Sequence, residues 1–94
     1  DDTLDLAEAV YSHHENWDGT GYPKGLKGNE IPVMARIIAV AEAYDEMTNE
    51  YGNLRFDSAT ALQRIKEMAG NRLDPEITEA FISIIAESEN QYSM

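Results

Sequence analysis

The stretch HHENWDGTGYPKGLKG, from His13 to Gly28, gathers the residue types in this chain that can do chemistry. Both histidines, His13 and His14, stand side by side there, with Glu15 next to them and Asp18 close behind. If the pair closes a helix, its side chains diverge by about 100°, so they do not both face a single ion comfortably. Two neighbouring metals about 3.5 to 4 Å apart, a common device for phosphoester hydrolysis, would account for the pair, as would one metal and one substrate phosphate. A plainer alternative stays open. The dipole at a helix C-terminus favours a cationic imidazole, so an exposed histidine pair can serve only as a terminator.

The segment that follows is built as a shaped loop. Four of the six glycines, Gly19, Gly21, Gly25 and Gly28, fall with Pro23 inside residues 16–30, too many breakers for regular structure. Gly19 and Gly21 allow positive backbone dihedrals, while Pro23 holds Tyr22 extended and fixes its phenol for stacking or protein contact. Lys24 and Lys27 lie in a run without acids, Gly19 to Asn29, in an otherwise acidic protein. Such a local cationic patch attracts a dinucleotide phosphate or an acidic partner, although solvated lysines on a covering loop are equally in keeping with it. Trp17 reads as a packing anchor.

The elements that must position this loop are helical. Leu4, Leu6, Ala7, Val10 and Tyr11 recur at helical spacing and predict a first helix from Leu4 to about His14, capped by Asp2 or Thr3. Pro32 suits a helix start, and PVMARIIAVAEAYDEMT runs to Thr48 without a breaker. Val33, Met34, Ile37, Ile38, Val40, Ala41 and Tyr44 make this second helix apolar over much of its circumference, which places it at the centre of a bundle. Met34 and Met68 are both expected in the core. NEYGNLRF forms a break, Asp57 caps a third helix to Ala69, and Asp74-Pro75 opens a fourth to about Ser88, beyond which the chain is expected to fray. No strand pattern occurs, so the prediction is an all-α bundle of about four helices.

Composition narrows the partners. Eighteen acids against seven bases give a net charge of -11, which opposes docking on nucleic-acid polymers or anionic lipid. No apolar run approaches the ~20 residues of a membrane span, no signal peptide is visible, and a cytoplasmic location is the expectation. Without cysteine, thiolate metal sites and thiol nucleophiles are excluded, so any metal is held by His, Asp, Glu or water.

His13-His14-Glu15, Asp18-Gly19-Thr20-Gly21-Tyr22-Pro23, Gly25-Leu26 and Arg36-Ile37-Ile38-Ala39-Val40 together resemble the second half of the HD-GYP family. Ala69 to Ile77, AGNRLDPEI, is a weaker echo of the family's terminal element. The resemblance covers nearly the whole chain and reads residues 1–94 as a single partial domain of the HD superfamily. It implies metal-dependent hydrolysis of cyclic di-GMP with iron or manganese, with His13, His14 and Glu42 as metal ligands and Asp45 structural. Glu42 stands where the family usually has aspartate. The His-Asp pair that names the family does not occur in the sequence, so the chain alone is expected to be inactive and to bind the metal weakly or not at all. Where the family has a phosphate-associated Arg-Pro-Tyr-Arg run, this chain keeps one arginine, Arg55. The resemblance also implies contact between the Gly21-Tyr22-Pro23 loop and diguanylate cyclase domains. The alternatives are a catalytically silent sensing or interaction module, or a structural piece that hides bare apolar helix faces in a homodimer.

Overall fold

The computed structural model of the chain describes residues 1–49 and 55–92. Four α-helices account for most of it: α1 (Asp2–Ser12), α2 (Val33–Thr48), α3 (Ser58–Met68) and α4 (Pro75–Tyr92). Among the described residues, pairing of the β type is confined to one isolated bridge, between Ala69 and Leu73. Asp1 caps α1 by accepting from the Leu4 amide, and Asp57 caps α3 through the Thr60 amide. Pro32 stands just outside α2 as its N-cap rather than inside its first turn. The fourth helix continues to Tyr92, since neither glycine nor proline interrupts the residues after Ser88. Most of the break expected before Phe56 falls on residues outside those described.

As its apolar circumference requires, α2 is the helix on which α1, α3 and α4 all pack. The core is Ala39, Val40 and Ala43 of α2 with Ile65 of α3 and Leu73 of the α3–α4 turn, and Tyr44, Met47, Met68, Ile77 and Phe81 close around it. Met34 is not in the core; it is 47% exposed, on the stretch of α2 that also shows Val33 and Ile37 to solvent. On α1 the buried side chains are Ala9 and Ser12, whereas Leu4, Leu6, Val10 and Tyr11 are each more than half exposed. The apolar periodicity of α1 therefore marks a helix correctly but points its broad hydrophobic arc away from the bundle.

One ion pair pins the ends of these elements together. Arg36 Nη1 donates to Asp74 Oδ2 at 2.8 Å, and its Nε donates to the Ile31 carbonyl at 2.9 Å. The same guanidinium lies 5.9 Å from the centre of the Trp17 ring. Asp74 is 4% exposed, and its other oxygen accepts from the amides of Glu76 and Ile77, so a single carboxylate pairs α2 and caps α4. Trp17 is thus the packing anchor that its size suggests. Asp74→Ala leaves Arg36 unpaired in a largely buried setting and uncaps α4, so urea denaturation is expected to register a loss of about 3 kcal/mol. A loss under about 1 kcal/mol would refute the pinning role.

Candidate functional site

Helix α1 stops at Ser12, two residues before the expected end, and this changes where the histidines point. His13 is its C-cap and His14 lies beyond it, so the 100° divergence of consecutive helical side chains does not apply. Their ring centroids are 4.0 Å apart. His13 Nδ1 hydrogen-bonds the Val10 carbonyl at 2.5 Å, the anchor that fixes the tautomer of metal-binding imidazoles. Its Nε2 then faces Glu42 Oε2 of α2 at 3.1 Å. With Nδ1 holding the proton for Val10, a lone pair on Nε2 and a carboxylate face each other, and only a second proton or a shared cation makes that contact favourable.

His13, His14 and Glu42 each offer a ligand atom, and these atoms all lie within 4.8 Å of one another. The donors are nitrogen and oxygen, which suits divalent iron or manganese, so the residues present fit a metal of that kind. The longer side chain of Glu42, compared with aspartate, does not carry its carboxylate out of reach of His13. Asp45, one turn later, is exposed and accepts from the Asn49 side chain at the C-terminus of α2, in keeping with a structural part.

The loop is fastened to the same point of the chain. Glu15 is 3% exposed, and its two oxygens accept from the amides of Lys24 at 2.8 Å and Leu26 at 3.0 Å. A buried carboxylate bound by two backbone donors is a strong tether. Consecutive residues thus serve both the candidate metal group and the loop. Gly19 uses the positive dihedral open to glycine, as do Gly25, Gly28 and Gly70, whereas Gly21 does not. Gly21 is required for space, since an added Cβ would sit 2.4 Å from the Asn16 nitrogen and 2.5 Å from the His14 oxygen. This close approach lays the Tyr22 ring over His14, 5.2 Å between centroids and 20° between planes. Asp18 closes the turn by accepting from the amide and hydroxyl of Thr20, bonds that lower its pKa below the usual carboxylate range.

A cleft of about 300 Å³ opens beside these groups, lined by His13, His14, Asn16, Thr20, Tyr22 and Arg72 among others. That volume is at the small end of the ~300–1,000 Å³ range of ligand pockets. The sequence-predicted cations are elsewhere. Lys24 reaches toward the Tyr11 ring, Lys27 packs against Gly19, and Arg55 lines a separate pocket with Tyr44 and Thr48. Arg72 went unrecognised in the sequence because no local spacing marks it. It arrives through tertiary pairing, as the amides of Trp17 and Asp18 donate to the carbonyls of Arg72 and Asn71 at 3.1 and 2.9 Å.

Residues 3–77 match the HD domain family. The chain belongs to the HD domain family. Among its HD-domain relatives, a cyclic di-GMP phosphodiesterase of Thermotoga maritima is 40% identical over 88 residues, 92% of this chain and 24% of that protein. A 3'3'-cGAMP-specific phosphodiesterase of Vibrio cholerae is 39% identical over 74 residues, 76% of this chain and 16% of the other. In three dimensions the HD-domain chain resembles the crystal structure of a cyclic GMP-AMP specific phosphodiesterase from V. cholerae. There the TM-score is 0.77 at 30% identity, over 88% of this chain and 19% of that one. The chain therefore spans a quarter or less of the length of these relatives. The HD-GYP resemblance of the sequence agrees with them, and the all-helical HD fold is the one observed.

Two outcomes are expected from the loop. Gly21→Ala forces a methyl group onto backbone and should lower the melting temperature by about 5 °C or more while separating Tyr22 from His14 in nuclear Overhauser spectra. Because the pKa of Asp18 is depressed in the folded state, its stabilising effect is present above the unfolded value and is lost as pH falls through the folded one. The Thr20 amide resonance should thus hold its folded position through the ordinary carboxylate range and move only at more acid pH.

Proposed function

We propose that the chain is part of a metal-dependent phosphodiesterase domain that hydrolyses cyclic di-GMP, and that alone it turns over little or none. The observation that carries this reading is the convergence of His13, His14 and Glu42 beside a cleft walled by Tyr22. His13 and His14 would hold iron or manganese together with Glu42. Such an ion supplies Lewis-acid polarisation of a phosphoryl oxygen and makes water nucleophilic near neutral pH. The protein's own part is orientation. The Val10 carbonyl directs His13 Nε2 toward Glu42, Tyr22 stacks against His14, and Glu15 holds the loop at the cleft. Three protein ligands are too few to build the two-metal site that phosphoester hydrolysis commonly uses, the physical reason for expecting little turnover from this chain by itself.

Relatives named for cyclic di-GMP and for 3'3'-cGAMP support a cyclic dinucleotide as the substrate class. The resemblance of the loop to the HD-GYP signature favours cyclic di-GMP within it. No helix of the described residues is long and apolar enough to cross a membrane, and the site faces solvent, which fits a soluble second messenger in the cytoplasm.

A second reading, an interaction module without catalysis, is favoured by exposure. Tyr22 is 62% exposed on a fastened loop, a shape suited to a protein partner such as a diguanylate cyclase domain. The open apolar face of α1 and α2 suits a second copy of the chain.

Metal analysis after reconstitution with manganese or iron tests the first reading. Wild type is expected to retain metal and the His13→Ala/His14→Ala double variant to lose it, and metal kept by that variant would refute the ligand assignment. Assays on cyclic di-GMP and 3'3'-cGAMP in parallel are expected to give slow linearisation of the former or none. Brisk turnover of the latter alone would reverse the substrate choice. Sedimentation is expected to show concentration-dependent dimers, and a strictly monomeric species excludes the homodimer.

A further inference from the structure

We infer that Arg72 is the cation that grips the phosphodiester of the ligand in the cleft, an inference that rests on the cyclic dinucleotide reading above. Among the described residues lining the cleft, Arg72 is the one lysine or arginine. Glu15, the acid of that lining, is already occupied by the amides of Lys24 and Leu26. A protein of net charge -11 repels a phosphorylated ligand at a distance, so a site for one needs a positive group at the point of contact. A guanidinium meets that need with two parallel donors shaped for phosphate oxygens.

The placement of Arg72 supports a ligand-binding part over a structural one. Its backbone does the structural work, receiving Trp17 and following Asn71 through the tight α3–α4 turn. Its side chain is 38% exposed and approaches Glu46 Oε2 only at 4.0 Å, and Glu46 is itself 54% exposed. An exposed pair that wide contributes little to stability, so the guanidinium is free to exchange a carboxylate for a phosphate. Glu46 is one helical turn beyond Glu42 on α2, so the same helix presents an acid to the metal group and an acid to Arg72. Glu46 is then a competitor for Arg72, and removing its charge should help the ligand bind.

Calorimetric titration of the manganese-loaded chain with cyclic di-GMP, and separately with inorganic phosphate, tests this. Arg72→Met is expected to weaken binding of either by roughly ten- to a hundredfold, and Arg72→Lys by less, because an ammonium lacks the two-pronged geometry. Glu46→Gln is expected to tighten binding several-fold, and the gain should vanish when Arg72→Met is added. A merely structural arginine produces neither that gain nor its cancellation. Unchanged affinity in Arg72→Met overturns the inference, as does a Glu46→Gln gain that survives it. Wild type that binds phosphate but not cyclic di-GMP sinks the substrate reading alone, and Arg72 is then judged on phosphate. Wild type that binds neither sinks both.

Discussion

The pairing of Arg36 with Asp74 is the constraint on which the arrangement rests. One guanidinium reaches the carbonyl before α2, the carboxylate that begins α4 and the face of Trp17. Ion pairs of this kind are poor sources of net stability, since desolvation offsets most of their attraction, but they are severe about geometry. Moving any one of the three contacts leaves a charge or a polar group without its partner in a place that water reaches poorly. The pair thus fixes the register of the α3–α4 turn against the glycine loop, and through Trp17 and Asp18 it fixes the side of the cleft opposite α2. Arginine suits this better than lysine, because its donors lie in one plane and serve two acceptors while its flat face covers an indole.

The cleft is therefore assembled from three regions far apart in sequence. The end of α1 contributes the imidazoles, α2 a wall at Ala39 with the Glu42 carboxylate facing His13 beside it, and the α3–α4 turn a guanidinium. None of these stretches is a site alone. Each is placed by backbone hydrogen bonds or by a buried side chain, and no lysine is among the described residues lining the cleft.

What the sequence made legible follows from the range of the forces involved. Helix positions were readable because periodicity and caps are local: Asp57, Gly70 and Asp74-Pro75 punctuate the chain where the structure places its turns. The candidate metal group was legible through family resemblance, which matches His13, His14 and Glu42 to ligand positions, and the structure does bring these three side chains together. How they meet was not legible, because α1 ends at Ser12 and not at His14. Periodicity also identified the apolar arc of α1 without its direction, so Leu6 and Val10 were legible as helical but not as exposed. Gly21 was legible only as a permissive position: its need for space arises from the folded-back loop, which no local pattern encodes. Arg72 lay beyond local reasoning for the same cause, since it meets the cleft across more than fifty residues of chain.

His14 and Glu15 are covalent neighbours with opposite assignments, the imidazole turned to the cleft and the carboxylate turned inward to the loop amides. One peptide unit is accordingly a fulcrum: a tug on the tip at Lys24 or Leu26 reaches the imidazole through one buried carboxylate and the backbone that joins the two residues. Loop posture and imidazole posture are two ends of a single lever, so a substitution that shifts the tip shifts the histidine with it.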